Sequence, residues 1–134
     1  MSKLFPRMVS VAAAVALTVV AAAGAHSQST QAKVVTVTAG KPSEFGFALS
    51  TKVVQHGAVT FKVKNGGALP HDFKVCSSPK GGSANSCAGR STPLLSPGQS
   101  ATLTVTFKTA GTYEYQCAVS GHAAAGMKGD IKVN

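Results

Sequence analysis

The sequence predicts an all-β domain, a Greek-key β-sandwich of about seven to eight strands, on the strength of three observations. Several windows alternate apolar and polar residues with period two, Gly/Pro/Ser/Asn turn signals separate them, and no window beyond the N-terminal segment has a helical period. "KVVTVTA" opens the alternation. In "VTFKVKN", Val59, Phe61 and Val63 share one face, and Thr60, Lys62 and Lys64 the other. "ATLTVTF" sets Leu103, Val105 and Phe107 against Thr102, Thr104 and Thr106. The turns between them read "AGKPS", "QHG", "NGG", "SPKGGSANS", "SPGQS" and "TAGT". In "AGTYEYQC" a tyrosine follows a glycine turn at the start of a late strand, which makes Tyr113 the candidate for the tyrosine corner of such sandwiches. Period two then puts Tyr113, Tyr115 and Cys117 on one face.

The domain is expected to occupy residues 32–134, after a signal peptide (1–25) and a short polar stub (26–31). Lys3 and Arg7 precede an unbroken run of apolar, small and hydroxyl residues from Val9 to Ala23, and Ala23-Gly24-Ala25 fits an A-x-A cleavage site. The run is shorter than the roughly 20 residues a membrane span needs, so cleavage is favoured over an uncleaved anchor. No transmembrane span is expected in the mature chain. No cysteine follows the run, so a lipoprotein anchor is not indicated, and the expected location is periplasmic or extracellular.

Removing Lys3 and Arg7 from the 13 basic residues leaves 11 against 4 acids, a formal charge of +7 on the mature chain. The lysines are scattered singly and no aromatics interleave them, which disfavours a nucleic-acid groove. They suit weak attraction to an acidic protein or an anionic surface, and serve solubility equally well.

Three cysteines in a secreted chain leave one over. Cys76 and Cys87 bracket a Gly/Ser/Lys loop, and an oxidising compartment favours joining them, with a chain-entropy gain of about 2–3 kcal/mol. Cys117 is then the free thiol. Taken alone it reads as a small buried hydrophobe. Its company changes the reading: in "YQCAVSGHAAAGMKG", His122 and Met127 follow at five-residue steps, among glycines that let the loop fold back. "GALPHDFKV" supplies His71, at a strand end able to face that loop. One thiolate, two imidazoles and a weak thioether suit copper in both oxidation states, whereas structural zinc takes four strong ligands and catalytic zinc keeps a water position.

At these residues the chain resembles the cupredoxins, the small type 1 (blue) copper proteins of the plastocyanin/azurin family. The resemblance covers nearly all of 32–134 through "LPHDF", "LSPGQSATLTVTF" and "GHAAAGMKG" after the Y-x-C strand. The C-x4-H-x4-M spacing is similar to the rusticyanin and auracyanin type, since plastocyanin has a shorter Cys-to-His gap. The resemblance implies a cupredoxin-like sandwich holding one Cu(I)/Cu(II) ion through His71, Cys117, His122 and Met127. The chain departs from the family at Asp72, where many members carry an Asn that braces the ligand loop. Asp72 and Ser120 are the candidates for supporting the ligands from behind.

The function implied is one-electron transfer between protein redox partners by a monomer, with electrons passing through the exposed edge of His122. Leu69, Pro70 and Ala123 to Ala125 would form a small apolar rim for docking, and the lysines would steer a partner that is acidic. The alternative is a copper-binding module for storage, delivery or sensing, with the same four residues but easier release. A metal-free structural domain would leave the Cys117 loop unexplained. No enzymatic activity is expected, because four histidines cannot also build the second copper centre of the copper oxidases. His56 reads as a solvent-facing turn residue. His26, which cleavage after Ala25 would expose as the N-terminus, lacks any supporting motif.

Overall fold

The computed structural model describes residues 33–80 and 88–134; the expected signal peptide and stub, His26 and Cys87 lie outside the described residues. Nine strands follow one another: β1 (Lys33–Ala39), β2 (Phe47–Leu49), β3 (Val53–Val54), β4 (Gly57–Asn65), β5 (Lys74–Cys76), β6 (Gly89–Ser91), β7 (Ser100–Phe107), β8 (Gly111–Gln116) and β9 (Lys128–Val133). No helix forms among the described residues. The count exceeds the expected seven to eight because β2, β3, β5 and β6 have only two or three residues each, too few to show a period.

The strands make two sheets, one ordered β2-β1-β4-β7 and the other β3-β9-β8-β5-β6. Both are mixed, with β1 parallel to β4 and β3 parallel to β9. The predicted faces hold: Val35 and Val37 of β1, Val59, Phe61 and Val63 of β4, and Leu103, Val105 and Phe107 of β7 all point into the core. From the second sheet, Val75, Tyr113, Tyr115, Ile131 and Val133 meet them. Phe73 lies at the centre, its ring 5.2 Å from Phe47, 5.3 Å from Phe61 and 5.5 Å from Tyr115. A fully buried aromatic of this kind contributes about 1.5–3 kcal/mol through apolar burial. Tyr113 is the expected corner: its hydroxyl donates to the carbonyl of Thr109 at 2.8 Å.

The topology decides where the ligand loops emerge. Parallel pairing of β1 and β4 sets Ala39 beside Asn65, so the chain leaves both strands at the same end of the sandwich. Antiparallel pairing of β5 with β8 sets Lys74 beside Gln116, which brings the residues before β5 and those after β8 together. Close packing seals the β1–β4 end, since a Cβ on Gly40 (φ 74°) would collide with the backbone of Gly67. The amide of Gly66 donates to the carbonyl of Ala39 at 2.9 Å.

Candidate metal centre

Three loops meet at that end, following β1, β4 and β8. His71 is fully buried and held by a two-bond bridge to Leu95: His71 N–H to Leu95 O is 3.0 Å, and Leu95 N–H to His71 O is 2.8 Å. The stretch leading to it is folded around Asn65, itself fully buried. The Asn65 amide group donates to the carbonyls of Leu69 and Leu95, both at 2.8 Å, and its Oδ1 accepts from Gly67 N–H at 2.9 Å.

The loop after β8 is pinned by its own backbone. Cys117 N–H donates to Met127 O, and Met127 N–H to His122 O, each at 3.0 Å. Two of the expected ligands therefore bond directly to the main chain of the third. Gly121 (φ 81°) and Gly126 (φ 109°) take left-handed conformations that make this fold-back possible, as the glycine content predicts. Cys117 and Met127 are buried together against Ala39, with Phe47 and Val119 packed on them.

The side chains converge. His71 Nδ1 lies 3.2 Å from His122 Nδ1, and His122 Nδ1 lies 3.5 Å from Cys117 Sγ. Within this cluster the two imidazole nitrogens and the sulfur all lie inside 4.8 Å of one another. Such separations suit donor atoms that share one ion at bond lengths of about 2.0–2.3 Å. Met127 is buried in one cluster with Cys117, and its main chain bonds to both Cys117 and His122, so the fourth expected residue is carried beside the cluster by the same loop. His56 is not: it is exposed and its Nδ1 contacts the carbonyl of Asn134 at 3.1 Å.

Charge around the cluster is organised by two carboxylates. Asp72 accepts a hydrogen bond from Ala118 N–H at 2.6 Å, so a carboxylate braces the loop that carries His71 against the loop that carries Cys117. Burial pushes the Cys117 thiol above its ordinary pKa; the Asp72 charge pushes the same way, against hydrogen bonds from the backbone N–H groups of Asp72 and Val119. Ser120 is exposed, with no side-chain hydrogen bond among the described residues.

The second carboxylate, Glu44, escaped the sequence reading. It stands in the loop after β1 and accepts from Ala68 N–H (3.0 and 3.1 Å to its two oxygens) and Leu69 N–H (2.8 Å), with His71 Nε2 also 2.8 Å away. These contacts hold its pKa at about 2 rather than the usual 4.5, with the two backbone donors the main cause. An ionised carboxylate only accepts, so Nε2 of His71 carries the hydrogen and Nδ1 is turned to the cluster. Phe45, the next residue, packs edge-on against the His122 ring at 5.1 Å. One signal in the sequence could have exposed Glu44: the chain has only 4 acidic residues, so each carboxylate is a candidate partner for a specific group.

A sulfur-rich, imidazole-containing donor set on a two-sheet β-sandwich defines a copper-binding protein, and the comparisons agree. Residues 32–134 match the copper binding proteins of the plastocyanin/azurin family, and the chain belongs to that family. Among solved structures it is similar to a dithionite-reduced auracyanin from the photosynthetic bacterium Roseiflexus castenholzii, at 25% identity over 76% of this chain and 96% of that one, TM-score 0.58. Auracyanin B aligns at 24% identity over 77% of this chain and 89% of its own, TM-score 0.64, which supports the fold. Reduced rusticyanin aligns at 26% identity over 75% of this chain and 78% of its own, TM-score 0.53. No curated protein sequence matches the chain at a significant level. The expected rusticyanin/auracyanin likeness is thus borne out, and copper is the metal the family and the donor set share.

Proposed function

We propose that the protein is a one-electron carrier whose single type 1 copper ion is held by His71, Cys117, His122 and Met127. The observation that carries this reading is the preformed convergence of His71 Nδ1, His122 Nδ1 and Cys117 Sγ on backbone-pinned loops. When bound, copper supplies a Cu(I)/Cu(II) couple for which the soft sulfurs favour the reduced state and the imidazoles the oxidised one. The chain's own work is to keep the donors in one arrangement through both states and to keep water from the buried ones. His71, Cys117 and Met127 are each at most 1% exposed, which supports that role.

His122 alone is partly exposed, so its outer edge is the route by which electrons leave. Phe45 at 37% and Leu69 at 41% exposure, with Pro70 and the alanines after His122, give that edge an apolar rim suited to brief docking. The partners are redox proteins, and the excess of lysines would attract acidic ones. Auracyanin and rusticyanin having been captured in reduced form supports redox cycling at a related site. Cleavage of the leader, a periplasmic or extracellular location and a monomeric state belong to the same proposal, and no catalytic turnover is assigned. A Cys76–Cys87 bridge belongs to it too: Cys76 is not a free thiol, whereas Cys117 is.

The test is cyclic voltammetry of the copper-loaded protein together with a copper-chelator challenge in each oxidation state. A reversible one-electron wave with copper retained in both states supports the carrier. Prompt loss of copper to the chelator on reduction supports a storage or delivery module instead.

A further inference from the structure

We propose that Glu44 is a positioning residue of the copper centre: its carboxylate binds the outer nitrogen of His71, fixes which nitrogen faces the metal, and biases the site toward Cu(II). This rests on the assignment of His71 as a ligand.

The contact is built rather than incidental. His71 is fully buried, so water does not compete for its Nε2, and Glu44 reaches it at 2.8 Å from a loop 27 residues away in sequence. The same carboxylate gathers the amides of Ala68 and Leu69, which fasten the chain just before His71. Room for it comes from Gly67, where an added Cβ would lie 2.6 Å from Glu44 Oε1 and 3.0 Å from His71 Nε2. The loop itself is set in place by the backbone contact between Gly40 and Gly67. Through Phe45 it also bears on His122, so two consecutive residues touch both imidazoles.

The physical consequence follows from charge. A carboxylate accepting the N–H of a ligand imidazole raises the basicity of the nitrogen on the other side of the ring. A more basic ligand and a nearby negative charge both favour the more highly charged ion, so Cu(II) gains over Cu(I). Fixing the ring also slows release, because the nitrogen facing the cluster cannot be exchanged for the other by rotation.

The test measures Cu(II) and Cu(I) affinities, by competition with chelators of known affinity, and the reduction potential. Wild type is compared with Glu44→Gln, Glu44→Ala and Gly67→Ala. Glu44→Ala is expected to lose about 10–100-fold in Cu(II) affinity. Glu44→Gln keeps an acceptor for the three N–H groups but removes the charge, so it should lose more affinity for Cu(II) than for Cu(I). Each tenfold difference between the two losses raises the potential by about 59 mV. Gly67→Ala leaves the charge in the chain but pushes the carboxylate off His71, and should move the potential in the same direction. A residue that merely stiffened the loop would leave the potential of Glu44→Gln unchanged. If Glu44→Ala does not fold, the other two variants decide.

A wild-type protein with an intense thiolate-to-copper band, but potentials that do not rise in Glu44→Gln or Gly67→Ala, overturns the proposal while leaving the ligand assignment standing. Absence of that band in copper-treated wild type overturns the ligand assignment, and this proposal with it.

Discussion

Replacing Asn65 should damage the fold and the metal site together, because this one side chain holds the loop that carries His71. Its three hydrogen bonds reach Leu69 O, Leu95 O and Gly67 N–H, and the bond to Leu95 is buried. Asn65→Ala would remove one of the two donors to the Leu95 carbonyl, which keeps the His71 N–H, at about 0.5–1.5 kcal/mol. The two part-buried bonds are partly replaceable by water and contribute about 0.5–1 kcal/mol each. The expected loss is about 1.5–3.5 kcal/mol, or about 8–20 °C in the melting temperature of a domain of this size. Asn65→Asp tests the direction of the bonds: it keeps the shape but turns an acceptor toward two carbonyls, so it should be at least as destabilising as Ala. Urea unfolding of the metal-free protein reads both numbers. Because Leu95 is in turn the bridge partner of His71, chelator-driven copper release should also quicken in each variant. A loss below about 1 kcal/mol in Asn65→Ala, or an Asp variant as stable as wild type, would refute the reasoning.

Three further outcomes are expected. Met127→Leu conserves volume and should cost less than about 1.5 kcal/mol, while removal of the thioether raises the reduction potential and leaves the thiolate band in place; equilibrium unfolding and voltammetry check both. Cu(II) affinity should rise with pH, because the Cys117 thiol is held above its ordinary 9.0 and must lose its proton to bind metal. Below that pKa the slope is about tenfold per pH unit, and titration in weak buffer should detect about one proton released per copper; a flat profile contradicts it. Tyr113→Phe removes the bond to Thr109 O and should cost about 1 kcal/mol in urea unfolding without altering the copper spectrum.

The fold was legible where strands are long enough to show their period and one face is dry. Val59, Phe61 and Val63, or Leu103, Val105 and Phe107, announce their faces because every second residue is removed from water. β2 and β3 gave no such signal, and nothing local reveals that β1 runs parallel to β4. That pairing is a long-range property, and it is what delivers the Glu44 loop to the His71 loop. The metal cluster was legible because three of its four residues lie on one short loop and carry rare donor types. The supports were not. Glu44 is remote in sequence from His71, and Asn65 sits at a strand end where its amide looked like part of an ordinary "NGG" turn. Asp72 is legible as a candidate through its neighbour His71, but its bond to Ala118 N–H exists only with the loops in place.

The central claim is that Cys117, with His71, His122 and Met127, forms a redox-active copper site. The most direct measurement is the visible absorption spectrum of the protein with Cu(II), before and after ascorbate, beside a Cys117→Ala control. An intense thiolate-to-copper band that bleaches on reduction, returns on reoxidation and is missing from the control is the predicted result. Folded, copper-treated protein with a reduced Cys117 and no such band would contradict it.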